Sequence, residues 1–396
     1  MALTKYKFTK MKKTIFLLLL NFSAVMSELI RCNKPVLNHC YCGKTTYDRQ
    51  ELYAVNCTNT LLSTKESLDV FKNLPSEIEV LIFTGNFLED LPSNIFGMNN
   101  SIPKLKFLDM SNNSIQSIKG KSFHHVSSVE RLILNHNKIE LNGIGLHPRV
   151  FSNFENLLEL HMIDAFANTN KYNISQDLYE VFLNSNLSQL AKLHLEQNDI
   201  SIILEPQVFC PLSSLLDLHL SNNQLTGIDF FINCLPHIRF LGLENNHIQK
   251  LSESQLSTLD LIHSNNQNLA IDLSNNPFSC GCNIEILYKW LQTTHVNVRN
   301  NETIKCNQEV FKNIPNFYID YGNKCPEYIH STILHGNHDG HKLVILFIFC
   351  AVFAFLGAVL YVFRYVLKHF KTDFNTSSRK IHYTTIGKCE EQEIHV

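Results

Sequence analysis

A template of apolar and asparagine positions, LxxLxLxxNxL, recurs along this chain about every 25 residues, and such a period means stacked repeats rather than one ordinary globular core. The first copies are Ile78, Leu81, Phe83, Asn86, Leu88; Leu105, Leu108, Met110, Asn113, Ile115; and Val129, Leu132, Leu134, Asn137, Ile139. Later ones are Leu190, Leu193, Leu195, Asn198, Ile200; Leu215, Leu218, Leu220, Asn223, Leu225; and Ile238, Leu241, Leu243, Asn246, Ile248. Each slot has a physical task. The LxL pair belongs to a short strand that turns its apolar residues inward, and the asparagine amide enters the coil to satisfy backbone groups that no sheet reaches. A single repeat cannot bury its own apolar face, so neighbours must stack and both ends need covers. The expected fold class is therefore α/β, a solenoid with a parallel sheet along one side.

One copy departs from the template. Leu157, Leu160 and Met162 fit, but Ala165 stands where asparagine is expected, and the next copy starts late. The intervening FANTNKYNISQDLYEVFLNSNLSQ reads as a polar insert near 166–189 that should loop out of the solenoid. At the far end IDLSNNPFSCGC runs into Leu287, Trp290 and Leu291, a last half repeat followed by a helix on which Trp290, the chain's single tryptophan, packs as a lid.

Cysteines bracket the repeats. Cys32, Cys40, Cys42 and Cys57 precede them, and Cys280, Cys282, Cys306 and Cys325 follow. Even clusters in a secreted segment argue for disulfides, and their C-x-C spacing is tighter than zinc sites use. Cys210 and Cys234 fall on what should be neighbouring coils; buried free thiols are the expectation there, with a bond between coils the alternative.

The ends specify topology. Lys5, Lys7, Lys10, Lys12 and Lys13 precede a short apolar core from Ile15 to Leu20, with small residues toward Ser27, which reads as a secretory signal peptide over 1–27. A second apolar run, Leu343–Phe363, has no charge and is long enough for a transmembrane helix. Arg364, Lys368, Lys371, Arg379 and Lys380 follow it, so the N-terminal part should lie outside, a single-pass type I arrangement at the plasma membrane. The expected order is thus an N-terminal cysteine cap at 28–77, about seven leucine-rich repeats over 78–276, a C-terminal cap at 277–325, a stalk at 326–342, the helix, and a cytoplasmic tail at 364–396. That tail is too short for an independent catalytic domain.

The stretch from Cys32 to Cys57 followed by NLPSEIEVLIFTGN resembles the N-terminal cap of extracellular leucine-rich-repeat proteins, and NPFSCGCNIEILYKWL resembles their C-terminal cap. That resemblance implies the pairs Cys32–Cys42, Cys40–Cys57, Cys280–Cys306 and Cys282–Cys325. The order of parts narrows the likeness: an interrupted repeat region with a glycosylated insert, LSSLLDLHLSNNQL, the second cap, one helix, and a short tail containing KIHYTTI. Together these resemble the trophoblast glycoprotein (Wnt-activated inhibitory factor) family. The resemblance implies a cell-surface glycoprotein that inhibits β-catenin-dependent Wnt signalling at the plasma membrane by acting on co-receptor availability. One departure is the terminus Ile394, His395, Val396, where the family usually ends Ser-x-Val; either end can add as a strand to a PDZ domain, but the two select different domains.

Side chains alternate along a strand, so the residue between the two inward leucines faces the concave side. That column reads Ile82, Asp109, Ile133, His161, His194, His219, Gly242 and Asp272. Glu159, Lys192, Glu196 and Asp217 share its face. Adjacent strands bring the three imidazoles within reach of one another, and the candidate binding face comprises His161, His194, His219, Asp109, Lys192 and Asp217. A solvated polar face is the plain alternative. If a partner docks there, imidazoles titrating near pH 6.5 should weaken it on acidification, and His194→Gln should remove that dependence. No metal ligands or cofactors are assigned. His335, His338, His341 and Asp339 lie in the stalk, where nothing preorganises them as ligands.

Sequons at Asn56, Asn99, Asn112, Asn173, Asn186 and Asn301 predict a glycosylated exterior. A formal net charge of −2, with both signs interspersed, gives no footprint for nucleic acid. No phosphate loop, nucleophile elbow or HExxH motif is present, so an enzyme is not expected. Protein binding remains: regulation through a Wnt co-receptor or other surface receptor, with a cytoplasmic PDZ protein as a further partner. Cell adhesion, including neuronal adhesion, is the alternative, because the same scaffold serves both.

Overall fold

The computed structural model describes residues 29–306 apart from 99–101, 142–144, 168–173, 267 and 280–283, together with 309–310 and 364. The chain divides into two units, 1–324 and 325–396, and the architecture below is that of the first. Cys280, Cys282 and Cys325, and with them both C-terminal pairings, lie outside the described residues, as do Leu343–Phe363 and the terminus Ile394–Val396. Among the described residues no helix is long and apolar enough to cross a membrane.

A hairpin opens the unit. Strand β1 (Ile30–Arg31) pairs antiparallel with β2 (Tyr41–Tyr47), and β2 with β3 (Gln50–Asn56). The connecting Asp48 and Arg49 both have positive φ, 50° and 65°, the backbone twist that a two-residue hairpin loop requires. Disulfides join Cys32 to Cys42 and Cys40 to Cys57, and all four cysteines are buried. Leu37, Val55 and the helix Thr64–Lys72 complete this end. The helix starts on a reciprocal cap, with the Ser63 amide donating to Glu66 at 2.9 Å and the Glu66 amide returning to Ser63 Oγ at 3.5 Å. Phe71 seats on Phe83 and Phe96, ring centroids 4.6 and 5.6 Å apart, and so welds the cap to the first repeat.

From β3 the sheet turns parallel. β4 (Val80–Ile82) is followed by a two-residue strand β5 (Asp90–Leu91), which pairs outside the main sheet with β7 (Ser117–Ile118). The main sheet continues through β6 (Phe107–Asp109), β8 (Arg131–Ile133), β9 (Glu159–His161), β10 (Lys192–His194), β11 (Asp217–His219), β12 (Phe240–Gly242), β13 (Ala270–Asp272) and β14 (Asn297–Arg299). Among the described residues twelve strands share it, from β1 to β14 with β5 and β7 left out. Strands of three residues suffice because each presents one inward residue, flanked by two on the opposite face, before the chain turns away.

The middle residue of each repeat strand, from Leu81 and Leu108 through Leu132, Leu160, Leu193, Leu218 and Leu241 to Ile271, is fully buried. Phe96, Phe123, Phe151 and Phe154 fill the opposite side of the coils and are also buried. Between them runs the asparagine ladder. The side-chain oxygen of Asn113 accepts from the Asn86 amide, that of Asn137 from the Asn113 amide, and that of Asn223 from the Asn198 amide, at 2.9, 3.1 and 3.0 Å. The amide groups of the same side chains donate to strand carbonyls of the preceding coil, as Asn198 does to Met162 at 2.7 Å. At the irregular repeat Ala165 offers no side chain, yet its backbone amide still reaches Asn198 Oδ1 at 2.9 Å, which carries the ladder across the gap.

Two local expectations are corrected. The stretch expected to loop out as a polar insert contains the helix Ile174–Ser185, whose Ile174, Leu178, Val181 and Phe182 are buried. Spacing of four, three and one places them on a single helical face, so a segment polar in composition still carries an apolar stripe to bury. Cys210 and Cys234, expected as buried free thiols, form a disulfide with Cα atoms 5.3 Å apart. The physical reason is phase: both lie at the same point of successive coils, within the span a disulfide needs.

At the other end the helix Ile284–Thr293 closes the core with Ile284, Leu287 and Trp290 buried. The indole N–H donates to Asp260 on the helix Glu253–Asn266 at 3.0 Å, and Thr294 Oγ1 donates to the same carboxylate at 2.5 Å.

Candidate functional site: the concave sheet face

Parallel pairing in unbroken register carries side chains into columns. Ile82 sits opposite Asp109, Asp109 opposite Ile133, Ile133 opposite His161, then His194, His219, Gly242 and Asp272 in turn. The same register adds Asn56 at one end and Arg299 at the other. A second column two residues earlier holds Ala54, Val80, Phe107, Arg131, Glu159, Lys192, Asp217, Phe240, Ala270 and Asn297. Period-two alternation puts both columns on the face away from the leucines.

The three imidazoles stack. His161 and His194 have ring centroids 4.1 Å apart and planes 13° from parallel; His194 and His219 are also 4.1 Å apart, at 11°. The stack runs on into Phe240, 5.0 Å from His219, and the Arg299 guanidinium lies 4.3 Å from the Phe240 centroid. Carboxylates edge this ladder. Glu159 accepts from Arg131 Nε at 2.5 Å, Lys192 Nζ at 2.7 Å and His161 Nε2 at 3.4 Å. Arg131 also reaches Asp48 in the hairpin turn at 3.1 Å and lies over Phe107, 5.1 Å from its centroid. Asp217 is held bidentately by Arg239, at 2.7 and 2.8 Å, and Asn300 donates to Asp272 at 2.6 Å. His194 Nδ1 donates to Glu196 at 2.9 Å.

Burial changes how these groups titrate. His219 is pushed down to about 4, foremost by desolvation and next by His194, while Glu196 and Asp217 oppose the shift. His161 is likewise lowered, with burial outweighing the hydrogen bond to Glu159. Glu159 is held well below the usual carboxylate range, first by His161 and then by Arg131 and Lys192. The expected titration of this stripe near pH 6.5 is therefore corrected for His161 and His219: burial makes both take up a proton at lower pH than a free imidazole.

A histidine whose folded pKa lies below its unfolded value favours the fold while neutral. Its contribution is complete above the unfolded pKa near 6.5 and is withdrawn as the pH falls from there to about 4. For His219 this amounts to up to about 3 kcal/mol, reduced somewhat by its partial exposure. Urea midpoints in the presence of a chelator should fall across pH 6.5 to 4 in the parent and distinctly less in His219→Gln. Parallel slopes would remove His219 as the cause.

Of the remaining predicted residues, Asp109 accepts from the Ser111 hydroxyl at 2.6 Å and lies four strands from His219, outside the histidine stack. The sequons are scattered. Asn112, Asn186 and Asn301 are exposed, and Asn99 and Asn173 lie outside the described residues. Asn56 is half-buried, with its side-chain oxygen accepting from the Thr58 amide and hydroxyl at 3.0 and 2.6 Å. Sequence reasoning missed Arg131, Phe240, Arg239 and Arg299. The first two were available as the strand positions two before the column, but Arg299 follows no leucine template and nothing in its surroundings announces a strand.

The concave side also has an open depression of about 610 Å³ between β11 and β14, lined by His219, Arg239, Phe240, Glu244, Asp272 and Arg299 among others.

Family models for leucine-rich repeats match residues 76–139, and a two-copy model matches 213–255. Trophoblast glycoprotein of Macaca fascicularis is 28% identical over 265 residues, 64% of this chain and 59% of the relative, so the chain spans less than two thirds of that protein. Lumican of Coturnix japonica is 28% identical over 267 residues, covering 60% of this chain and 73% of the relative. Among solved structures, human 5T4 (Wnt-activated inhibitory factor 1, trophoblast glycoprotein) superposes with a TM-score of 0.57 at 27% identity, covering 65% of this chain and 88% of the other. Sequence and three-dimensional likeness thus agree with the observed solenoid: the chain is a leucine-rich-repeat protein, related to the trophoblast glycoprotein family.

Proposed function

We propose that this chain is a single-pass type I glycoprotein of the plasma membrane that binds protein partners through its concave sheet face and inhibits β-catenin-dependent Wnt signalling. The observation that carries the signalling part is the likeness to human 5T4, also named Wnt-activated inhibitory factor 1. The binding part is supported by the face itself. The ladder from His161 to Arg299 offers aromatic and cationic surface, flanked by carboxylates already fixed by arginine and lysine. Such preorganised side chains lose little freedom on docking. The proposed extracellular partner is a Wnt co-receptor or another surface receptor.

The test is a β-catenin reporter in cells stimulated with Wnt, comparing the full chain with a version lacking 78–276. The expected result is suppression by the intact chain only. Absence of suppression by either, with both at the surface, would overturn the signalling assignment in favour of adhesion, which aggregation of transfected cells then reads directly.

A further inference from the structure

Two pairs of carboxylates on the concave face contrast. Glu159 and Asp217 are each matched by lysine or arginine. Glu196 and Glu244 have no such ion pair among the described residues, and in each the Oε2 atom is buried without a hydrogen-bond partner. Buried anionic oxygens are ordinarily paired or bound to a cation. Among the described residues the ion-pair partners of Glu196 are histidines: its Oε1 lies 2.9 Å from His194 Nδ1 and 3.8 Å from His219 Nδ1. Glu244 lies at the next coil but one, with its Oε2 beside Gly242, the residue opposite His219 in the register.

We propose that His194, Glu196 and His219 form a binding site for a borderline divalent transition-metal ion, zinc being the representative. Three ligand atoms, one from each residue, already lie within 4.8 Å of one another. Tetrahedral zinc with bonds of about 2.0–2.1 Å separates its ligands by about 3.3 Å, and the distances of 2.9 and 3.8 Å bracket that value. Two imidazoles and one carboxylate select zinc, copper or nickel over calcium or magnesium. The ion takes the place of the proton shared between His194 Nδ1 and Glu196. Parallel rings aim their nitrogens side by side, so capture turns the imidazoles about χ2 and exchanges the stack for two convergent metal bonds. Three protein ligands leave one position open toward the concave surface, where solvent or a donor from a docked protein completes the shell. The site does not depend on the signalling assignment, because it takes the metal alone.

The test uses the full chain in detergent, freed of metal and titrated calorimetrically with zinc chloride. A variant carrying His335→Gln, His338→Gln and His341→Gln serves as the background, since those residues are a separate potential source of binding. The expected result is one equivalent bound in that background, weakened at least tenfold by Glu196→Gln and by His219→Gln. Cobalt(II) gives a second readout: the intense visible bands of tetrahedral coordination should appear in the background protein and vanish in both variants, with circular dichroism confirming that each still folds. No binding in the background, binding untouched by both substitutions, or octahedral cobalt spectra alone would each overturn the proposal.

Discussion

Asn223→Ala should lower the stability of the repeat unit by about 4 kcal/mol, a large fraction of what holds any domain together. The side chain is buried, and its oxygen accepts from the backbone amides of Asn198 and Ile200, each at 3.0 Å. Its amide group donates to the carbonyls of Leu195 and Leu220, both at 2.9 Å. Truncation strands the two amides and the Leu195 carbonyl in the buried interior, while Leu220 keeps its hydrogen bond from Asn246 at 3.0 Å, and each unsatisfied backbone group costs about 1–3 kcal/mol. Asn223→Asp separates the contributions. Its oxygens still accept from both amides, but a carboxylate then faces two carbonyl oxygens, which raises its pKa. A raised carboxylate is most costly above its folded pKa and recovers as it takes up a proton, so the deficit of the variant against the parent should shrink toward pH 4. Urea melts of parent and both variants across that range decide it; a deficit of under 1 kcal/mol for the alanine variant would show that the ladder is replaceable.

Much of this arrangement was legible in the sequence because the template fixes phase. Once Leu193 and Leu195 are assigned inward, His194 must face outward, and equal strand lengths bring His161, His194 and His219 into line. What the template does not contain is depth. That His219 is pushed down to about 4 depends on its burial and on His194 stacked beside it from the neighbouring strand, against the opposing carboxylates of Glu196 and Asp217. The helix Ile174–Ser185 was obscured by the asparagines, serines and glutamines of the longer stretch around it, while four of its own apolar residues do the packing. The bond between Cys210 and Cys234 was open because residues outside the strands are phased by loop lengths, which vary from coil to coil.

Trp290→Ala is the second large effect, about 3–5 kcal/mol. The ring is 6% exposed, and removing it leaves a cavity between the terminal helix and the last coil while depriving Asp260 of the indole N–H. Trp290→Phe keeps most of the packing and should cost about 1–2 kcal/mol, chiefly the lost hydrogen bond. In a solenoid each coil touches only its neighbours, so the damage should be local. Hydrogen exchange is expected to rise first in Ala270–Asp272 and Asn297–Arg299, while the hairpin Tyr41–Asn56 stays protected. A uniform rise along the chain would contradict nearest-neighbour stability and make Trp290 part of a single cooperative core.

Stacked coils held mainly to their neighbours also respond to tension in a particular way. Pulled from its two ends, such a molecule would peel coil by coil, but the disulfide between Cys210 and Cys234, 24 residues apart, locks the intervening chain out of the extension. At about 3.5 Å per residue that is roughly 80 Å of concealed length. Reduction of this bond would therefore lengthen the fully drawn chain by about that amount, so the Cys210–Cys234 link limits the reach of the repeat region under load.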